Sequence, residues 1–398
     1  MKIGILTFHR PCNFGANLQA YASSSYFRAL GHEVKVIDYV RKKDIEYNNI
    51  IPDIQFDTHQ AFAEKRLNLT RQVYDSEGLK SLVREEKFDV IIIGADAVWR
   101  APQDDCIFFA KWLFEDKQLS SSVRVASMSV AHMGDGFAHL PKEETHVIAE
   151  CISQFAYVSV RDSWTRFVVN RDLFDGMEKV KCINPDPVFM LSTLVDGEIW
   201  ESNGLTAKQY MLMTLPKNWG RGSRFQKGID KWFTSFKRLV NHAGFQLVEL
   251  TLPDGPSGLP FDMSLKHPID PIQWFLTIRK AKAYCGLRFH AIVSCIANDV
   301  NFYSMDTYGH SGRGNMLLDF AGLHSYARKQ EKQSKIYCLL DGTGLEKHRT
   351  GSFLQLESPE HVFKLLMEPC EEKIQTARER LQSQFEKNMK DLLETCRK

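Results

Sequence analysis

Arg288-Phe289-His290 is the stretch of this chain best suited to chemistry, because two strongly polar side chains interrupt an apolar run: residues 281–286 (AKAYCG) precede it and 291–298 (AIVSCIAN) come after. Burying an arginine without a partner is costly, so a counter-charge or an anionic ligand is implied. If the local chain is extended, residues two apart share a side, and Arg288 and His290 face the same way. A guanidinium fork grips carboxylate or phosphate, and an imidazole moves protons near neutral pH. Similar clusters close the other apolar runs: His9 to Asn17, including Asn13, Phe14 and Gly15; Asp96 to Arg100, including Trp99; His132-Met133-Gly134; Arg161-Asp162-Ser163; and residues 306–314, including His310. Ligands of open α/β sheets bind beyond the carboxyl ends of strands, so these positions together suggest an anion-handling cleft. Each also has a structural explanation. Gly15 permits a tight turn, Asp96 caps a helix, Trp99 and Trp112 fill a core, and Arg161-Asp162-Ser163 starts a helix.

The elements that would hold these residues alternate. Strands are expected over 2–8, 33–39, 88–94, 123–130, 156–160 and 179–183, with a helix over 17–30 closed by Gly31. The run 88–94 (FDVIIIG) is apolar without alternation, as a strand covered on both faces must be. After a linker near 195–208 a second series begins: strands over 210–215, 245–251, 283–286 and 301–305, and helices over 231–243 and 272–281. Five prolines between 253 and 271 mark a long loop. The tail, 371–398, spaces Ile374, Ala377, Leu381, Phe385, Met389 and Leu392 at steps of three or four, an apolar stripe for packing on the body of the protein. The expected fold is α/β, with two Rossmann-like doubly wound domains, 1–200 and 205–365, the first joined by the tail helix.

Composition sets limits. With 51 Lys+Arg against 49 Asp+Glu, the net charge of +2 argues against a nucleic-acid binder. Nine cysteines, an odd count without a C-x-x-C pair, do not make a disulfide scaffold and suit a reducing cytoplasm. The first residues are too soon interrupted by His9-Arg10 for a secretion signal, and no apolar run approaches the ~20 residues of a membrane helix. Metal-ligand spacings such as H-E-x-x-H or Asp-x-Asp are missing, as are the G-x-G-x-x-G fingerprint and the Walker lysine pattern. No metal is expected.

Taken in order, residues 1–10 (MKIGILTFHR), 13–22 (NFGANLQAYA), 30–39 (LGHEVKVIDY), 88–99 (FDVIIIGADAVW), 159–163 (SVRDS), 186–189 (DPVF) and 286–291 (GLRFHA) resemble the polysaccharide pyruvyl transferase family. The resemblance covers about residues 1–315 and leaves the tail aside. One departure is that the family often has Ser-x-Gly after its middle strand, where this chain reads Ser129-Val130-Ala131-His132-Met133-Gly134. The resemblance implies a GT-B-like pair of domains facing a cleft. It also implies transfer of pyruvate from phosphoenolpyruvate to two hydroxyls of a sugar, in a polysaccharide or lipid-linked precursor, forming a cyclic ketal and releasing phosphate. Phosphoenolpyruvate would be a substrate and no cofactor is expected. By the same resemblance Arg161, Arg288, Phe289 and His290 bind the donor, whose side of the cleft is the second domain. His290, then His132, are the candidate acid/base groups with Arg288 beside them, and His9 and His310 are weaker ones. Asn13, Phe14, Gly15, Asp96 and Trp99 would meet the acceptor. A lipid-linked acceptor would bring the protein to the inner membrane surface. A nucleotide-sugar glycosyltransferase or a non-catalytic glycan-binding protein on the same fold are the alternatives.

Overall fold

The computed structural model describes residues 1–100, 104–134, 136–215, 224–305, 334–350 and 357–397; His310 and the rest of 306–314 lie outside them. The chain forms two compact units, one of residues 1–50, 59–194 and 380–398, the other of 51–58 and 195–379.

The first unit carries six parallel strands: β1 (Lys2–Leu6), β2 (Glu33–Val36), β3 (Val90–Ile93), β4 (Arg124–Val130), β5 (Tyr157–Val160) and β6 (Cys182–Ile183), in the order β2-β1-β3-β4-β5-β6. Their apolar runs reflect burial on both faces: all four residues of β3 are buried. The helix Phe14–Ala29 starts three residues earlier than expected, because Asn13 caps it by accepting from the N–H groups of Gly15 and Ala16. Three helices not expected from the sequence, Lys42–Asn48, Asp53–Arg66 and Ser76–Glu86, fill the stretch before β3.

The second unit holds five parallel strands: β7 (Tyr210–Thr214), β8 (Gln246–Glu249), β9 (Met263–Ser264), β10 (Ala283–Gly286) and β11 (Asn301–Ser304), in the order β11-β10-β7-β8-β9. The two-residue β9 lies inside the proline-rich stretch read as a loop. In each sheet the chain builds outward on one side of its first strand and then crosses to the other. The strand order therefore reverses between β1 and β3, and between β7 and β10. Those reversals open a crevice at the carboxyl edge of a sheet, where ligands bind.

The tail is one helix, Glu371–Arg397, and its expected stripe is buried. From Arg380 it belongs to the first unit, where Phe385 meets Tyr26 edge-on at 5.1 Å and the Gln382 and Asn388 amides donate to the carbonyls of Phe189 and Ile183. All nine cysteines are free. Among the described residues no helix is long and apolar enough to cross a membrane.

Candidate functional site

In the second unit the helix Phe289–Ala297 begins immediately after β10, beside the β7–β10 reversal. Arg288 is its N-cap residue, exposed and making no side-chain cap bond. An anion can therefore take both the guanidinium and the partial positive charge of the helix end. Gly286 makes this junction possible: a Cβ there would lie 2.5 Å from the Tyr284 hydroxyl and 2.7 Å from the Thr214 carbonyl oxygen. In register with Gly286, Ser304 closes β11; its Oγ is buried and has no hydrogen-bond partner among the described residues. The alternation expected of Arg288 and His290 does not occur, because the chain is already helical at Phe289 and successive side chains turn by ~100°. His290 is half-buried and meets the Phe289 ring edge-on at 5.2 Å. Phe289, expected on the donor, is itself buried.

The first unit gathers a different set at its carboxyl edge. Gly94 ends β3 with φ +114°, and a Cβ there would come 2.2 Å from the Met128 carbonyl oxygen, so only glycine fits. Asp96 comes two residues later with φ +80°, half-buried, its Oδ1 accepting from the Ala97 N–H at 2.6 Å. The Asp96 carbonyl accepts from the Ala131 N–H at 2.8 Å, which stitches the loop after β3 to the loop after β4. β4 bulges at Ser129, whose φ is +50°, and a bulge re-aims the residues beyond it. His132 lies just past this bulge and is 2% exposed. Its Nδ1–H donates to the Trp99 carbonyl at 2.8 Å, so Nε2 carries the lone pair, and that nitrogen has no partner among the described residues. Burial lowers the His132 pKa below the usual 6.5, against smaller opposing effects of that carbonyl bond and of Asp162 and Asp172. This is a neutral imidazole with one acceptor on offer, the form a general base takes.

Several residues expected at a ligand turn inward instead. Trp99 cannot be a sugar platform: its indole is 0% exposed, stacks on Phe109 at 5.6 Å and donates to the Phe108 carbonyl. Its carbonyl, not its ring, serves the site. Asn13 is exposed but its side chain caps the helix, Phe14 is buried against His59, and Gly15 is buried. Arg161, expected to grip the donor, is 6% exposed with Nη1 3.2 Å from Asp186, so its charge already has a counter-charge inside the first unit. His9 has both nitrogens within hydrogen-bond distance of protein oxygens, Nδ1 at the Thr7 carbonyl (3.1 Å) and Nε2 at Asp38 (3.0 Å), so both already have partners inside the protein.

Asp38 is a charged member of this edge that sequence patterns did not single out. Burial alone would raise its pKa, yet the hydrogen bonds from His9 and Arg10 hold it down to about 2. A signal for it exists: β2 ends at Val36, not Tyr39, so Asp38 lies just past a strand as the other candidates do. Among the described residues, no three His, Cys, Asp or Glu side chains come together to hold a metal.

Comparison with known proteins agrees with this architecture. A glycosyltransferase from Streptomyces nogalater, SnogD, is similar in structure at 12% identity and a TM-score of 0.50, covering 99% of each chain. A UDP-GlcNAc 2-epimerase from Neisseria meningitidis is similar at 10% identity and a TM-score of 0.47, covering 97% of this chain and 100% of that one. The fold is GT-B-like, two Rossmann-like units with parallel sheets. No curated protein matches the sequence. The profile of the polysaccharide pyruvyl transferases matches residues 13–308, from the first helix through the second unit's β11, and the chain belongs to that family.

Proposed function

We propose that the protein transfers pyruvate from phosphoenolpyruvate to two hydroxyls of one sugar in a polysaccharide or lipid-linked precursor, forming a cyclic ketal and releasing phosphate. The observation that carries this reading is Arg288, exposed on an otherwise uncapped helix end beside the strand-order reversal of the second sheet. A guanidinium fork and a helix N-terminus each favour a compact anion, and here they coincide. One sugar hydroxyl adds to C2 of the enol phosphate while C3 gains a proton. The second hydroxyl then displaces phosphate from C2, its proton leaving with the phosphate, and the ring closes. His132 is the base for a hydroxyl, since its Nε2 is held as an acceptor. His290, next to Arg288, is assigned the proton to C3. Asp96, at the β1–β3 reversal, is assigned to the acceptor. Phosphoenolpyruvate is the substrate that brings the pyruvyl group, and no cofactor enters. The reaction belongs to the cytoplasm, at the inner membrane surface when the acceptor is lipid-linked.

The test is incubation with phosphoenolpyruvate and a panel of methyl hexopyranosides, measuring phosphate release and the mass of the ketal. Stabilisation of the folded chain by phosphoenolpyruvate but not UDP separates this reading from a nucleotide-sugar transferase. Stabilisation by UDP alone would reverse it.

A further inference from the structure

Two buried acceptor atoms in the first unit accept from nothing among the described residues, and one threonine links them. They are Nε2 of His132 and Oδ2 of Asp162, on residues 2% and 6% exposed. Thr165 Oγ1 accepts from the His132 N–H at 2.9 Å, and the Thr165 N–H donates to Asp162 Oδ1 at 2.7 Å. The remaining atoms of both side chains are committed: Nδ1 of His132 to the Trp99 carbonyl, and Oδ1 of Asp162 to capping the helix Ser163–Leu173. Leaving a buried acceptor without a donor is unfavourable, and here two side chains joined through one threonine each do so. A group bearing two hydrogen-bond donors satisfies both. The same helix start presents Trp164, whose Nε1–H donates to the Gly134 carbonyl at 3.0 Å, and half-exposed Phe167 beside it at 5.5 Å, rings of the kind that pack on the C–H face of a sugar.

We infer that His132 Nε2 and Asp162 Oδ2 hold the acceptor's two hydroxyls, one each, so that this pair selects a sugar diol and sets the hydroxyls that enter the ketal. The inference rests on the pyruvyl-transfer reading and names that reading's acceptor residues. His132 takes the proton of the attacking hydroxyl, and Asp162 aims the second one.

Asp162→Asn tests this cleanly. Asparagine caps a helix as well as aspartate, so the fold stays, but Oδ2 becomes an N–H₂ that can only donate, and the sugar hydroxyl loses its charged acceptor. At saturating phosphoenolpyruvate the KM for a methyl hexopyranoside should rise about ten- to a hundredfold, while the KM for phosphoenolpyruvate and the melting temperature stay put. Monodeoxy sugars, which cannot close the ketal, supply a second measurement as inhibitors. Wild type should lose affinity when either hydroxyl of the pair is removed, whereas the variant should respond to only one of them. An unchanged acceptor KM with equal responses to both deoxy sugars would mean that the two atoms merely share a water, and the inference is lost while ketal formation by wild type stands. If wild type forms no ketal with any panel sugar, the pyruvyl-transfer reading fails first and the inference goes with it.

Discussion

Replacing Arg161 by alanine should destabilise the protein, whereas replacing Arg288 should not, and the contrast separates a structural arginine from a ligand-binding one. The Arg161 and Asp186 side chains are 3% and 1% exposed and 3.2 Å apart. At an effective dielectric near 20, charges at that distance attract by about 5 kcal/mol before desolvation is counted. Removing one member of a buried pair typically costs ~3–5 kcal/mol, because the other charge is left stranded. Asp186 would keep the Gln19 amide at 2.6 Å and the Val188 N–H at 3.1 Å, which points to the lower end of that range, about 3 kcal/mol. Arg288 is exposed, so its loss should stay within ~0.5 kcal/mol while abolishing phosphate release. Urea unfolding monitored by circular dichroism measures both variants. Arg161→Met combined with Asp186→Asn should regain part of the loss, since neither charge then remains. If Arg161→Ala unfolds at the wild-type urea concentration, the ion pair is not what holds that guanidinium, and its assignment to the donor returns.

Gly286→Ala should cost ~1–3 kcal/mol, because the new methyl must push back a backbone carbonyl, and it should weaken phosphoenolpyruvate binding by shifting Arg288; a variant with wild-type melting temperature and KM would contradict the packing. Asp38, held at about 2 against an ordinary 3.8, contributes about 2 kcal/mol that is present above pH 4 and lost as pH falls through 2. The stability difference between wild type and Asp38→Asn should therefore shrink over that window, and a difference independent of pH between 4 and 2 would refute it. His132, with its pKa lowered by burial, should stay neutral below pH 6.5, so kcat/KM should fall only on further acidification. His132→Gln should remove that acidic limb and slow turnover ~10²–10⁴-fold; a limb unchanged in the variant would assign the base elsewhere.

How much of the fold and the site is legible in the sequence depends on the range of the interaction concerned. The parallel strands announce themselves because burial on both faces leaves only apolar residues, as in Val90–Ile93, and Ala283–Gly286 stands out as an apolar run shortly before the polar Arg288 and His290. The tail stripe is equally readable, since helical period and burial coincide along one segment. Those features are local: each residue's type reports its own surroundings. The sheet orders, and with them the reversals that single out β1–β3 and β7–β10, came only from the folded chain. So did the partner of Arg161, which lies 25 residues away, and the exchange at Trp99, whose ring fills the core while its carbonyl fixes the tautomer of a histidine 33 residues on. A polar side chain reads the same in the sequence whether it meets a counter-charge, a carbonyl or a substrate. Which of these it meets is settled by contacts between segments that no periodicity relates, and a charge takes its role from those neighbours.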